Sequence, residues 1–213
     1  VYAISPFQSM KSRQSPDITC TTVELEVQRL EKVLFGLKSK EEIEEFLAQN
    51  PLFTTQFLEK LTRREALVDK LHAMVHDPGI QALHQEVQRV FRDHSALQQQ
   101  LVQAFKYIKY YYPDFQPPQV VTFITGMGTD LYVSKELIVI GLDFFMGEGA
   151  KFRPNALPQY LLRACTPAHI VPKTLFLLSQ YFNETNVQDA TLLADMIYYG
   201  KAYYFTKALL PKV

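Results

Sequence analysis

Residues 118–142 read PQVVTFITGMGTDLYVSKELIVIGL and are rich in the β-branched and aliphatic residues that favour strands. Residues 120–124 are strand-like, Gly126-Met127-Gly128 is typical of a turn, and Leu131, Val133 and residues 137–142 supply further strand material. This order of strand, glycine turn and strand predicts an antiparallel hairpin or meander.

The chain before this stretch begins with an irregular segment and one strand. Residues 1–21 are rich in Ser, Thr, Gln and Pro without a period, which predicts an irregular arm or tether. Val23, Leu25 and Val27 then alternate with polar residues, which predicts a half-buried strand.

Residues 39–112 carry apolar stripes at helical spacing and are predicted to form short amphipathic helices joined by tight turns. Ser39 with Glu42 has the spacing of a capping box, which marks a helix start. Asn50-Pro51 and Asp77-Pro78 each place a capping residue before a proline at the first helical position.

Helical spacing returns after the strands, at residues 157–164, at 172–182 and in a last helix over about residues 188–209. Helices, a short sheet and helices again predict an α+β fold, mostly helical with a small antiparallel or mixed sheet. We expect a single domain over residues 22–213, with a helical part at 39–112 and the sheet plus helices at 118–210. The buried side of the last helix is predicted to hold Leu192, Leu193, Met196, Ile197, Tyr203 and Leu209.

The composition is that of a globular protein and excludes several classes. Of the 213 residues, 47% are hydrophobic, which is enough for a core and excludes general disorder. The 22 Lys and Arg residues balance the 22 Asp and Glu residues, which argues against binding nucleic acid through clustered positive charge. No stretch reaches the roughly 20 uninterrupted apolar residues that span a bilayer.

The ends of the chain and the cysteines give further expectations. The chain begins at Val1 rather than Met, so we expect a processed or trimmed product whose targeting signal lies upstream. An apolar helical run leads directly into the last residues, so we expect the chain to be truncated at its C-terminus. Two cysteines are far fewer than a disulfide scaffold carries, so Cys20 and Cys165 are expected to be free thiols.

His72 and His76 form the sharpest metal-like pattern, because residues four apart share one face of a helix. A zincin helix also needs a glutamate directly after the first histidine, and Ala73 stands at that position. We therefore interpret the pair as ordinary residues of a helix. Gly126-Met127-Gly128 lacks the third glycine of a dinucleotide-binding loop and is interpreted as a turn.

Two aromatic clusters, at residues 105–112 and 198–205, mix Tyr and Phe with Lys106, Lys109 and Lys201. Such residues suit helix packing, a surface that binds a partner or ligand, or stacking on single-stranded nucleic acid. The zero net charge disfavours the last of these three interpretations.

Segments along most of residues 22–211 follow one another in the order of a known family. They are residues 23–31, 105–113 with 118–124, 137–147, 157–161 with 169–172, and 193–204 followed by Leu209-Leu210-Pro211. Together they resemble the GldB gliding-motility lipoproteins of Bacteroidota.

The resemblance implies a lipid-anchored membrane protein of the cell envelope that faces the periplasm. It implies a role in gliding motility and in the associated type IX secretion machinery of the outer membrane. Cys20 does not fit the acylated anchor because no apolar signal segment precedes it, so that cysteine is expected upstream of Val1. The family continues beyond a Leu-Leu-Pro like the one at residues 209–211, in agreement with a missing C-terminal part.

The family is also distantly similar to zincin-like metallopeptidases, in which the strand comparable to residues 137–142 pairs with substrate. The zinc-binding motif would fall on Met196-Ile197-Tyr198-Tyr199-Gly200, where no residue is a metal ligand or a base. The resemblance therefore implies a zincin-like scaffold that lacks the zinc motif, has no cofactor and is not an enzyme.

The favoured function is a non-catalytic envelope lipoprotein that binds a protein or peptide between a sheet edge and the last helix. The expected partners are envelope proteins of the gliding and secretion machinery, together with the membrane through the upstream anchor, and no nucleic acid. The candidate lining residues are Asp143, Phe144, Tyr198, Lys201 and Tyr204.

Two alternatives stay open at this point. One is a metallopeptidase-like hydrolase whose ligands lie outside this stretch of chain or include His72 and His76. The other is a small-molecule or lipid-binding module lined by Tyr107, Tyr111 or Tyr203.

Overall fold

The computed structural model of the protein describes residues 16–154, 157–185 and 191–210. This part of the chain is α+β, mostly helical with one small four-stranded mixed sheet, as the sequence predicts. It divides into two compact units. The single domain over residues 22–213 stays a prediction.

One unit contains all four strands, and the other is mainly helical. Among the described residues, the sheet unit comprises 26–94, 118–154 and 157–170. The helical unit comprises 16–25, 95–117, 171–185 and 191–210.

The sheet has the strand order β1-β2-β4-β3, with β1 at Val27–Arg29, β2 at Gln119–Phe123, β3 at Leu131–Val133 and β4 at Leu137–Gly141. β1 runs parallel to β2, and β2 runs parallel to β4 with Val121 opposite Val139. β3 runs antiparallel to β4. All five residues of β4 are buried, as is usual for a parallel strand covered on both faces.

Two sequence predictions about the strands are wrong. The glycine turn does not join the strands of a hairpin, because β4 lies between β2 and β3 in the sheet. The first strand begins at Val27 rather than Val23. Residues 23–26 do alternate between half-buried and exposed, but they pair with no strand in the described part of the chain.

The α-helices are, in chain order, α1 (Leu30–Leu34), α2 (Lys40–Gln49), α3 (Pro51–Phe53), α4 (Glu59–Leu61), α5 (Leu67–His76), α6 (Pro78–Val90), α7 (Ser95–Tyr111), α8 (Gln159–Leu162), α9 (Ile170–Leu178) and α10 (Leu192–Leu209). A π-helical turn, Thr54–Leu58, links α3 to α4. Short 3-10 turns lie at Arg64–Ala66, Leu142–Phe145, Pro167–His169 and Ser179–Phe182.

All three predicted helix starts are confirmed, and two of them have the predicted side-chain cap. Ser39 and Glu42 form the capping box at α2, and the Asp77 carboxylate accepts the Ile80 N–H at 2.9 Å at the start of α6. Asn50 stands at the N-cap position of α3, but its side chain accepts no N–H there; its amide donates to the Phe46 carbonyl at 2.8 Å, at the end of α2. Cys20 and Cys165 are not joined by a disulfide.

A buried charged cluster lies where α1 follows β1 in the sheet unit. Glu31 has no exposed surface, and its carboxylate accepts from Arg29 Nε at 2.8 Å and from the Thr122 hydroxyl at 2.6 Å. Arg29 also donates to the Gln88 side chain at 3.3 Å. The cluster therefore ties β1 and α1 to β2 and α6 through side chains that have little contact with water.

His94, which packs beside Phe91, carries an expected pH dependence of stability. Both ring nitrogens are buried and have no hydrogen-bond partner among the described residues. Burial and, to a lesser degree, the positive charge of Arg29 lower the pKa of His94 to about 4. An unfolded histidine titrates near about 6.5, so between these values the unfolded state binds a proton that the folded state does not.

Stability contributed by neutral His94 is therefore lost as the pH falls from about 6.5 towards about 4. We expect His94→Phe to flatten this part of the profile, measured as urea midpoints across the interval. His76→Phe, at an exposed position, is the matched control and should keep the wild-type slope. An unchanged slope in His94→Phe would contradict the assignment.

The helical unit is held together by aromatic contacts around Phe182. The Phe182 ring centroid lies 4.5 Å from that of Tyr112, 5.2 Å from that of Phe205 and 6.0 Å from that of Phe115. These rings connect the end of α7 and the turn after α9 to the C-terminal half of α10. Part of each aromatic cluster therefore packs between helices, which is the first of the three interpretations of these clusters.

The predicted buried side of the last helix is wrong for five of its six residues. Leu192, Leu193, Met196, Ile197 and Tyr203 are between 44% and 76% exposed, and Leu209 alone is buried. The face that packs holds Ala202, Phe205, Thr206 and Leu209 instead. Because apolar residues occur on every side of α10, the sequence pattern could not show which side is covered.

Candidate functional site

The parallel pairing of β2 with β4 brings the carboxyl ends of both strands to one edge of the sheet. The residues after β2 form the glycine turn at 126–128, and those after β4 form the 3-10 turn Leu142–Phe145. In open sheets with parallel strands, this edge is where ligands bind. The candidate site of the sheet unit lies here.

Asp143 organises this edge from beneath and is fully buried. Its carboxylate accepts the backbone N–H of Met127 at 2.5 Å and the backbone N–H of Thr125 at 3.1 Å. The Thr125 hydroxyl lies 3.2 Å from Oδ2 of Asp143, the same oxygen that accepts the Met127 N–H. Burial raises the pKa of Asp143, and the donated N–H groups of Met127 and Thr125 oppose that rise. Asp143 therefore holds the glycine turn rather than facing a ligand directly.

The turn that Asp143 holds has an unusual backbone. Gly126 has φ of 66° and Met127 has φ of 64°, so two successive residues occupy the left-handed region. That conformation is unfavourable for a residue with a side chain, and it is maintained where surrounding structure enforces it. The hydrogen bond from the Met127 N–H to Asp143 supplies such enforcement.

Gly141, the last residue of β4, allows the loop to return close to the strand. Its N–H donates to the Asp130 carbonyl at 2.8 Å, and a methyl group at this position would overlap the carbonyl oxygen of Thr129. The glycine is required by this close approach of two backbones.

These elements enclose a cleft of about 680 Å³, which we call the turn cleft. The first turns of α6 supply Ile80 and Leu83, the glycine turn supplies Met127, and the 3-10 turn supplies Phe144. Residues 151–154 close the remaining side. The lining is therefore mostly apolar, as in many ligand-binding clefts.

Two cations stand at the rim of the turn cleft. Lys151 and Arg153 are exposed, and Lys151 Nζ lies 5.3 Å from the ring centroid of Phe152 between them. Arg153 Nε donates to the Ala150 carbonyl at 3.1 Å, which orients the guanidinium. Neither cation has an ion pair with another described residue.

The five predicted site residues fall in different units. Asp143 and Phe144 belong to the sheet unit, where Phe144 lines the turn cleft and Asp143 supports its wall. Tyr198, Lys201 and Tyr204 lie on α10 in the helical unit. A cleft shared by all five stays a prediction.

The three residues on α10 have different surroundings. Lys201 Nζ donates to the Thr185 hydroxyl at 3.0 Å, and the Tyr198 carbonyl accepts from the Asn183 amide at 3.1 Å. Tyr204 is 43% exposed. Lys201 and Tyr198 thus help to join α10 to residues 183–185, whereas Tyr204 belongs to the exposed side of the helix.

Sequence reasoning missed Lys151 and Arg153. The local signal is Lys151-Phe152-Arg153-Pro154, in which two cations flank an aromatic residue directly before a proline. This signal can be interpreted only once β2 and β4 are known to pair in parallel. That pairing places residues 151–154, which follow β4, beside the glycine turn that follows β2.

His72 and His76 are neighbours on α5, with ring centroids 4.2 Å apart. His76 Nδ1 donates to the His72 carbonyl at 2.8 Å, so one ring nitrogen of the pair is engaged with the backbone. Within the described part of the chain, no cluster of three potential metal ligands occurs. Likewise, no helix of this part combines the length and hydrophobicity needed to cross a bilayer.

Comparison with known proteins bears on the family. No curated protein and no solved structure matches the chain. The model of the family described as gliding motility protein GldB matches residues 11–213, which is nearly the whole chain. This match confirms the resemblance found from the residues, and with it a role in gliding motility at the cell envelope. The chain therefore belongs to the GldB family of gliding-motility lipoproteins.

Proposed function

We propose that this protein is a non-catalytic, periplasm-facing lipoprotein that supports gliding motility and the type IX secretion machinery by binding an envelope protein. The family supports the role in gliding. The exposed side of α10 is the observation that supports protein binding.

That side of α10 concentrates large apolar and aromatic residues at the surface. Seven are exposed by 43% to 76%: Leu192, Leu193, Met196, Ile197, Tyr199, Tyr203 and Tyr204. Single exposed apolar residues are common, but a contiguous group of this kind marks an interaction surface. Tyrosine and methionine are also enriched in protein interfaces relative to other surfaces.

The same segment supports the proposal that the protein is not a metallopeptidase. Met196 and Ile197 stand where the resemblance to zincins would place the zinc-binding motif, and both are exposed. A thioether and a hydrocarbon do not replace the deprotonated nitrogen, oxygen or sulfur ligands that zinc requires. A zincin-like scaffold without its zinc is therefore part of the proposal.

The test replaces Leu193 and Met196 with serine in the complete protein, in a gliding member of the Bacteroidota. We expect loss of gliding and of secretion, with normal protein abundance, because exposed positions contribute little to folding. A photo-crosslinking residue at Ile197 should capture an envelope protein in the wild type and lose that product in the double variant.

The matched control replaces Tyr160 and Leu161 with serine, since these α8 residues are also exposed and apolar. Gliding should continue in this control. Normal gliding and unchanged crosslinking in the α10 variant would contradict the proposed surface. Stoichiometric zinc in the purified protein would contradict its non-catalytic character.

A further inference from the structure

We propose that the turn cleft is a second binding site, which takes an extended acidic peptide segment. A carboxylate of the peptide binds Arg153 and Lys151, and a neighbouring apolar side chain occupies the cleft between Ile80, Met127 and Phe144. This site lies in the sheet unit and goes beyond the docking surface on α10.

The size and shape of the turn cleft fit such a ligand. Its volume of about 680 Å³ exceeds the space that one side chain needs and falls within the range of ligand-binding clefts. Met127 is held in a left-handed conformation on its wall, and strained residues of this kind concentrate at binding sites. The strain is maintained by buried Asp143, so the wall is formed before a ligand arrives.

Charge selects an anionic ligand. The two acidic residues at the cleft are already engaged, because Asp77 accepts the Ile80 N–H and Asp143 accepts those of Thr125 and Met127. Lys151 and Arg153 form no ion pair with any described residue. Glu86, which is not part of the lining, accepts the Lys151 backbone N–H and attracts its charge, but the Glu86 carboxylate is already bound by Arg89. The bond from Arg153 Nε to Ala150 leaves the terminal nitrogens of the guanidinium to face a carboxylate, and a fixed guanidinium loses less freedom on binding.

The number of cations favours a peptide over a membrane or a nucleic acid. Binding to anionic lipid headgroups typically uses clusters of about four to eight Lys and Arg residues. Nucleic-acid binding likewise relies on many phosphate contacts. Two cations beside an apolar cleft instead match one carboxylate and one adjacent apolar side chain, the pattern by which grooves recognise peptides.

The experiment measures retention of peptide mixtures by the immobilised complete protein. One mixture contains heptapeptides with blocked ends, a central glutamate and leucine or phenylalanine at the two flanking positions. The comparison mixture carries glutamine in place of glutamate. We expect retention of the acidic mixture, weakened by salt, and about tenfold weaker binding by Arg153→Gln, because charged hydrogen bonds are the strong ones.

A third mixture, with glutamine and an unblocked C-terminus, tells a side-chain carboxylate from a terminal one. Retention of this mixture through Arg153 would support the same site with the peptide terminus as the anion. Arg163→Gln is the matched control, since Arg163 is exposed in the same unit outside the turn cleft, and it should bind like the wild type.

Equal retention of the acidic and both glutamine mixtures would overturn the proposal, as would unchanged binding by Arg153→Gln. Arg153-dependent sedimentation with vesicles containing phosphatidylglycerol, without peptide retention, would replace it with a lipid site. The Leu193 and Met196 variant should retain peptides normally, so failure of this site and failure of the α10 surface are separate results.

Discussion

Replacing Asp143 with asparagine is expected to lower the free energy of unfolding by about 2–4 kcal/mol. The two carboxylate oxygens of Asp143 receive the N–H groups of Thr125 and Met127, and the residue is fully buried. Asparagine keeps one acceptor oxygen and turns an NH₂ group towards one of these donors. A buried N–H then loses its partner, at a cost of about 1–3 kcal/mol in addition to the charged hydrogen bond.

The measurement is urea unfolding of the purified protein, with the midpoint compared at constant slope. Asp114→Asn is the matched control, because Asp114 is exposed, and it should leave the midpoint almost unchanged. Since Asp143 supports the wall of the turn cleft, folded Asp143→Asn should also retain less acidic peptide. A stability loss below about 1 kcal/mol would show that the turn keeps its conformation without the carboxylate.

The helix starts are the part of this fold that the sequence predicts best, because a cap depends on neighbouring residues alone. Ser39 and Glu42 form their reciprocal hydrogen bonds within one turn of chain. Asp77, directly before Pro78, also caps its helix locally by accepting the Ile80 N–H. Asn50 lies between two helices, so its side chain can bond either to the helix that follows or to the one that precedes. The sequence does not show that its amide donates to the Phe46 carbonyl of the preceding helix.

Strand pairing is decided by distant residues and was predicted less well. The residues after β2 look like a hairpin turn, yet β4 takes the position beside β2 because it is apolar on both faces. The presence of a small sheet follows from the composition of residues 118–142, whereas its order does not. The turn cleft could not be foreseen because it depends on that order.

The exposed side of α10 shows a different limit. An apolar helix normally indicates burial on every side, and the sequence contains no polar stripe that would mark the surface. Ala202 and Phe205 are buried, whereas Met196 and Tyr203 are more than 60% exposed. Local sequence thus predicted the helix, but the exposed side of α10 carries the same residue types as a core.

Glu31→Ala is expected to lower the free energy of unfolding by about 3–5 kcal/mol. Glu31 is wholly buried and is the partner of both Arg29 and the Thr122 hydroxyl. Alanine leaves the Arg29 guanidinium, whose side chain is 16% exposed, without a counter-charge. Removing one member of a buried pair costs more than the pair contributes, because the remaining charge stays away from water.

The double variant Arg29→Met with Glu31→Leu separates these two contributions. It removes both charges and keeps apolar volume, so we expect it to be more stable than Glu31→Ala and to recover more than half of the loss. Asp69→Ala breaks the exposed ion pair with Lys40 and should leave the urea midpoint almost unchanged. If the double variant were as unstable as Glu31→Ala, the charged pair itself, rather than the uncompensated arginine, would be what joins β1 and α1 to the rest of the sheet unit.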